Sequence, residues 1–110
     1  MKKINLAITG CMGRMGQQLI KSANKDKAFK ITSLTESRRI NKRIFGVSPE
    51  INSIDAFKKA NVIIDFTVPK CTLEILKIAV KLKKKVVIGT TGFTKKDEQL
   101  IKSFSNKIPI

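Results

Sequence analysis

The chain has 110 residues, with 23 Lys and Arg against 8 Asp and Glu, a formal charge of +15, two Cys and no His, Trp or Tyr. That length allows one domain burying about two thirds of its unfolded surface, and 42% hydrophobic residues exclude a disordered tail. No apolar run nears the roughly 20 residues that cross a bilayer, no CxxC or Cys/His cluster is spaced to hold zinc, and without histidine a Ser/His/Asp triad is excluded.

A charge this positive raises nucleic acid or an anionic membrane as a partner. Yet 19 of the basic residues are Lys, spread from Lys2 to Lys107. No aromatic residue interleaves with them as stacking platforms require. Ile (16) and Asn (6) are also plentiful, a bias that AT-rich codon usage generates by itself. The charge reads as a solvated basic surface, and neither nucleic acid nor membrane is expected as a partner. Lys83-Lys84-Lys85 has a local explanation, since the dipole favours cations at a helix C-terminus.

Met1-Lys2-Lys3 before Ile4 to Ile8 looks like a signal-peptide start, and Ile8-Thr9-Gly10-Cys11 like a lipoprotein cleavage site. A signal needs an apolar region of about 7–15 residues, and this run is short and broken by Asn5. A cytoplasmic protein with reduced thiols is expected.

Along the chain, strand and helix signals alternate. Ile4 to Thr9 reads as a buried strand ended by Gly10. From Arg14 to Asn24, Met15, Leu19, Ile20 and Ala23 recur at helical spacing. Phe29 to Thr35 is a second strand, rich in β-branched residues. The polar, basic stretch from Glu36 to Glu50 reads as loop with room for a short element. Ser53 caps a brief helix through Ala60, and Val62 to Phe66 is apolar on both faces, as a central parallel strand requires. Pro69 opens a helix to Lys84, Pro being tolerated in a first turn. Val86 to Ile88 is a fourth strand. Thr94 with Asp97 forms a capping box for a helix lined by Leu100, Ile101 and Phe104, and Ile108-Pro109-Ile110 opens a fifth strand. No Asn-Gly or Asp-Gly hairpin signal interrupts the series. A doubly wound α/β fold with a parallel sheet follows.

Gly10-Cys11-Met12-Gly13-Arg14-Met15-Gly16 lies between the first strand and the first helix, the context that turns a glycine pattern into a nucleotide signal. Gly10 serves the turn, Gly13 admits a diphosphate to the backbone, and Gly16 lets the helix pack close. Free N–H groups and the helix dipole then face the anion. The G-x-x-G-x-x-G spacing is a variant of the dinucleotide fingerprint, and a tight turn without ligand is the alternative. Cys11 reads as a small filler, because no base lies near it in sequence. Met12 and Met15 read as packing residues. Glu36 stands 20 positions beyond Gly16, at the end of the second strand, where a carboxylate accepts from ribose hydroxyls and favours NAD. Arg38 and Arg39 follow at once. They would attract the 2′-phosphate of NADP, or else belong to an exposed basic loop.

Three motifs then coincide in order: Gly10-x-x-Gly13-Arg14-Met15-Gly16, Asp65-Phe66-Thr67-x-Pro69 and Gly89-Thr90-Thr91-Gly92-Phe93. Together they resemble dihydrodipicolinate reductase, over essentially the whole chain but only that family's amino-terminal, nucleotide-binding domain. The resemblance implies a reductase of lysine (diaminopimelate) biosynthesis, converting 4-hydroxy-tetrahydrodipicolinate to tetrahydrodipicolinate with NADPH or NADH. It implies Gly13, Arg14 and Met15 against the cofactor diphosphate and Glu36 by the adenosine ribose. Phe66 and Thr67 would border the cofactor, Gly89 and Thr91 its nicotinamide end, and Thr91 also the substrate. Gly89 to Gly92 as a mere flexible turn, and Asp65 as a helix-side cap, are the alternatives. Ser37 stands where many members carry a basic residue, which leaves any 2′-phosphate contact to Arg38 or Arg39.

The resemblance also implies that residues 1–110 are an incomplete enzyme. The family's His-His motif with its lysine and its Ser-Gly-Thr substrate loop belong to a second domain, which also carries the homotetramer contacts. No catalytic residue is therefore assigned here, and the 110 residues alone are expected to be inactive. Two other readings are another two-domain dehydrogenase with this amino-terminal fold, and a stand-alone nucleotide-sensing or basic binding module. The unfinished strand at 108–110 argues against the latter.

Overall fold

In the computed structural model, which describes residues 2–110, the alternating signals become five strands and four helices among the described residues. They run β1 (Ile4–Thr9), α1 (Arg14–Lys25), β2 (Phe29–Glu36), β3 (Glu50–Ile51), α2 (Ile54–Lys58), β4 (Val62–Asp65), α3 (Pro69–Leu82), β5 (Lys85–Ile88) and α4 (Lys95–Ser105). The sheet order is β3-β2-β1-β4-β5 and every pairing of these strands is parallel. The chain winds outward from β1 through β2 and β3, then returns to lay β4 on the other side of β1. That reversal opens a crevice beyond the carboxyl ends of β1 and β4, where doubly wound sheets take ligands. No helix among the described residues is long and apolar enough to cross a membrane.

Both faces of the sheet are covered, so β1 is apolar toward each. Ala7 belongs to a core with Phe57, Ile63, Ile75, Leu76 and Val86, which α2 and α3 cover. Ile8 belongs to a second core with Cys11, Ile20 and Leu34, which α1 covers. Ile31 and Leu34 both pack into this second core although they are three residues apart. A β-bulge explains it: Leu6 pairs Ile31 and Ala7 pairs Ser33, which leaves Thr32 as an extra residue. Its hydroxyl donates to the Leu6 carbonyl at 3.2 Å. Past the bulge the alternation of β2 is reversed.

The structure amends several expectations. The stretch from Glu36 to Glu50 ends in the two-residue edge strand β3, and Ile44 and Val47 exchange backbone hydrogen bonds within it. Ile108–Ile110 forms no strand. It makes one ladder-like bond, from the Val86 N–H to the Pro109 carbonyl at 3.0 Å, and Pro109 has no N–H to extend pairing. Leu100 is exposed, leaving Ile101 and Phe104 to hold α4 on the core. Met15 is 49% exposed, because Gly16, Ile20 and Ala23 form the buried stripe of α1. The caps conform: Ser53 Oγ accepts from the Ala56 N–H at 3.1 Å, and Thr94 and Asp97 form a reciprocal capping box.

Helix α3 stops at Lys83, whose φ of 55° and ψ of 45° are left-handed. An L-residue with a Cβ gives up about 1–2 kcal/mol there, while glycine gives up about 0.5–1 kcal/mol of chain entropy instead. Lys83→Gly is expected to stabilise the fold by roughly 0.5–1 kcal/mol, read as a raised midpoint in thermal unfolding followed by circular dichroism.

Candidate functional site

Two adjoining cavities occupy the crevice, and Gly13, Phe66 and Thr67 line both. The inner, of about 260 Å³, adds Gly10, Glu36, Ser37, Val68 and Cys71. The outer, of about 300 Å³, adds Arg14, Met15, Gly16, Gly89, Thr90 and Thr91.

The three glycines of the first turn have different reasons to be glycine. Gly10 has φ +61°, and a Cβ there would run into the Phe66 carbonyl. A Cβ on Gly16 would strike the Gly10 carbonyl, so α1 packs onto the turn only because none is present. Gly13 is extended, with φ −75° and ψ 167°. A Cβ there would meet just the Gly10 carbonyl at 3.3 Å and otherwise point into open space. The backbone at 13 suits any residue, and a Cβ there calls for only a small shift of the Gly10 carbonyl. Gly13 is also the N-cap of α1, and no side chain caps that helix or places an acid in its first turn. The amides of Arg14, Met15 and Gly16 are thus left to an outside acceptor, favourably an anion.

The floor of the crevice is one carboxylate. Asp65 is fully buried at the end of β4. Its Oδ1 accepts from Thr9 Oγ1 at 2.6 Å and Thr67 Oγ1 at 2.8 Å. Its Oδ2 accepts from Thr90 Oγ1 at 3.1 Å and from Thr72 Oγ1. The Thr67 N–H donates in turn to Thr90 Oγ1 at 2.8 Å. The sequence places Asp65 and Thr90 in motifs, with Asp65 as ligand or helix-side cap, but assigns no role to Thr9, Thr72 or Thr90. The available signal was a charged residue closing an otherwise apolar central strand, which needs hydroxyl or amide donors from neighbouring elements.

Residues 4–110 match the family model "Dihydrodipicolinate reductase, N-terminus". The chain belongs to the dihydrodipicolinate reductase family. It is 66% identical over 110 residues to 4-hydroxy-tetrahydrodipicolinate reductase of Pelagibacter ubique (strain HTCC1062), covering all of this chain and 43% of that protein. It is 42% identical to the enzyme of that name from Buchnera aphidicola subsp. Acyrthosiphon pisum (strain Tuc7), covering 99% of this chain and 45% of the relative. The dipicolinate-bound dihydrodipicolinate reductase from Paenisporosarcina sp. TG-14 superposes with a TM-score of 0.77 at 23% identity, over 94% of this chain and 43% of that one. This last likeness shows the fold. The chain thus spans less than half the length of the relatives it matches.

The family's motif residues fall into the two cavities, with exceptions. Glu36 lines the inner one, but both its oxygens already accept: Oε2 from the Met12 N–H at 3.0 Å and Oε1 from the Ser37 N–H at 3.2 Å. Each oxygen retains a lone pair for a ligand hydroxyl. Arg38 and Arg39 are exposed and line neither cavity. Arg39 instead borders a neighbouring groove of about 460 Å³ beside β3. Gly89 lines the outer cavity, yet its missing Cβ is first a packing requirement, since the Phe66 ring lies where that Cβ would be. Thr91 is exposed at the rim. Val68 and Cys71, which the motifs did not assign to the site, close the inner cavity.

Neither cysteine is built as a nucleophile. Cys11 is fully buried, and burial, with the Glu36 carboxylate adding to it, pushes its thiol up to about 11. Burial also raises Cys71, with hydrogen bonding from Thr67 offsetting part of the effect. Above its ordinary value of 9.0 an unfolded Cys11 loses a proton that the folded thiol keeps. Its contribution to stability is therefore complete below pH 9 and lost as pH rises toward 11. Denaturant unfolding across that window should show a stability decline that Cys11→Ala makes shallower. An unchanged slope in the variant would exclude Cys11 as the source.

Proposed function

We propose that this chain is the NAD(P)H-binding part of a cytoplasmic reductase that converts 4-hydroxy-tetrahydrodipicolinate to tetrahydrodipicolinate in lysine biosynthesis. In this reading residues 1–110 form a dinucleotide-binding domain, and the substrate-handling domain and homotetramer contacts of the family lie outside these residues. The observation that carries it is Gly13, an extended residue whose Cβ position meets only the Gly10 carbonyl and otherwise faces open space, at the head of an uncapped helix. A diphosphate is the group that uses both features. Gly13, Arg14 and Met15 would hold it, and Glu36 would take the adenosine ribose in the inner cavity. Phe66 and Thr67 would border the cofactor where the two cavities meet, and Gly89 and Thr91 its nicotinamide end in the outer one, with Thr91 also facing substrate. The reduced dinucleotide supplies a hydride when bound. The residues of this chain bind and orient, and none is assigned a proton transfer.

Gly13→Val separates this reading from a turn that needs no ligand. The backbone at 13 suits any residue and the Cβ contact is 3.3 Å, so the far-ultraviolet circular dichroism should be unchanged. NADPH affinity, measured by calorimetry, should fall at least tenfold. Equal affinity of variant and parent would reduce the glycines to turn formers.

Cofactor choice rests on Glu36 at the inner cavity against Arg38 and Arg39 in the exposed stretch that follows it. Glu36 favours free ribose hydroxyls, whereas Arg38 and Arg39 favour a 2′-phosphate. A hydrogen bond between charged groups is worth roughly 1.5–3 kcal/mol, and exposed arginines deliver the low end or less. Repulsion of the phosphate by Glu36 offsets part of that. NADH and NADPH affinities should therefore agree within about tenfold, which is roughly 1.4 kcal/mol. Replacing both arginines by Ala should weaken NADPH and spare NADH; unchanged NADPH affinity would assign them to the basic surface.

A further inference from the structure

Strand β5 stops at Ile88, the last residue in register with β4. One more ladder bond follows, from the Gly89 N–H to the Asp65 carbonyl at 2.7 Å. Beyond it the chain runs irregularly until the cap of α4 at Thr94. Thr90 and Thr91 lie in that irregular run, and both line the outer cavity. What ties the run to the sheet is the Thr90 hydroxyl, 8% exposed in residue terms, which donates to Asp65 Oδ2 and accepts the Thr67 N–H. Thr67 lines both cavities and donates its own hydroxyl to Asp65 Oδ1. Asp65, Thr67 and Thr90 therefore close a triangle of three hydrogen bonds joining the inner cavity to the outer one.

We propose that Asp65 is a positioning residue, whose carboxylate holds Thr90, and with it Thr91, at a set distance from Thr67, so that the two halves of the dinucleotide site are held as one. Stability alone does not call for this group. Four threonines and a carboxylate are costly to bury, and an apolar set of similar volume is often as stable or more so. Directional bonds, unlike apolar contacts, specify where the end of a loop sits. Thr9 and Thr72 fix the carboxylate itself from β1 and α3. Thr67 and Thr90 carry its position to the ligand walls. The inference rests on the nucleotide-site reading above, and it adds a role that no motif assigns.

The test uses two probes on the chain, with calorimetry for both and nicotinamide fluorescence for the first. NADPH reports both halves of the site, and ADP reports the adenosine–diphosphate half. Thr90→Val keeps the shape and removes the strut. It should weaken NADPH about tenfold, change ADP less than twofold, and lower the fluorescence enhancement of bound NADPH at saturation. Thr90→Ser should restore NADPH to within threefold of the parent. Ser53→Ala removes the cap of α2, outside the Asp65 network and both cavities; it should lower the melting temperature while leaving the ratio of the two affinities unchanged. Asp65→Asn loosens Thr67 as well and should weaken both probes. Unchanged NADPH binding in Thr90→Val, an equal loss for ADP, or the same ratio shift in Ser53→Ala would each overturn the positioning role alone. Failure of the unsubstituted chain to bind either probe would overturn the nucleotide reading, and this inference with it.

Discussion

A carboxylate buried at the end of a central strand constrains everything above it. Removing such a group from water carries a penalty of several kcal/mol, and Asp65 offsets it with four threonine hydroxyls, each bond to a charged acceptor contributing roughly 1.5–3 kcal/mol. The donors come from β1, the loop after β4, the first turns of α3 and the loop after β5. No single element could supply them, so these four segments must converge for the carboxylate to be satisfied. Where they converge is the crevice that the strand order opens. The fold's most demanding electrostatic requirement and its candidate ligand site are therefore met by the same geometry. The Phe66 ring adds a steric constraint, since it lies against Gly89 and requires that residue to lack a Cβ.

The other wall depends on a phase change in β2. Side chains on a strand alternate, so with Ile31 toward α1, unbroken alternation would send Ser33 and Thr35 that way and turn Glu36 from the glycine turn. The bulge at Thr32 reverses the phase. Leu34 then joins Ile31 in the core under α1, and Glu36 comes out on the same side, where it reaches the Met12 N–H. One extra residue in a strand thus decides whether the acid at its end meets the glycine turn. It also shows why the distance from Gly16 to Glu36 is a weaker clue than it looks. Position along the strand and side of the sheet are independent quantities, and spacing speaks only to the first.

Much of this was legible from the residues. Apolar runs and their punctuation located β1, β2, β4, β5 and the helices, and the Thr94–Asp97 box marked the start of α4 to the residue. Short-range chemistry of that kind leaves a local trace. Long-range satisfaction does not. Thr9, Thr72 and Thr90 are unremarkable singly, and their function exists only once β1, α3 and the β5 loop meet at Asp65. Strand β3 was hidden because two residues carry no periodicity, and it is set by pairing with Thr35 and Glu36. Met15 sat at helical spacing with Leu19 and Ala23, but the buried stripe is centred on Gly16 and Ile20, which turns Met15 toward the outer cavity. Ile108–Ile110 had strand composition but little ladder to join.

Several departures from local optimality gather at the crevice. Helices α2 and α4 carry side-chain caps, whereas α1 and α3, whose first turns open on the crevice, carry none. A good cap contributes about 0.5–2 kcal/mol, so leaving two helices without one forgoes stability that a Ser or Asp would supply. Met15 and Val68, two of the exposed large apolar residues, sit on the rims of the outer and inner cavities. Gly13 adds chain entropy where a single tight contact, with the Gly10 carbonyl, is all that favours it within the fold. Each feature is mildly unfavourable in the isolated fold, and each becomes favourable against an anion with apolar flanks. Several local choices that the fold itself does not call for thus meet along one crevice, the pattern expected of a functional site.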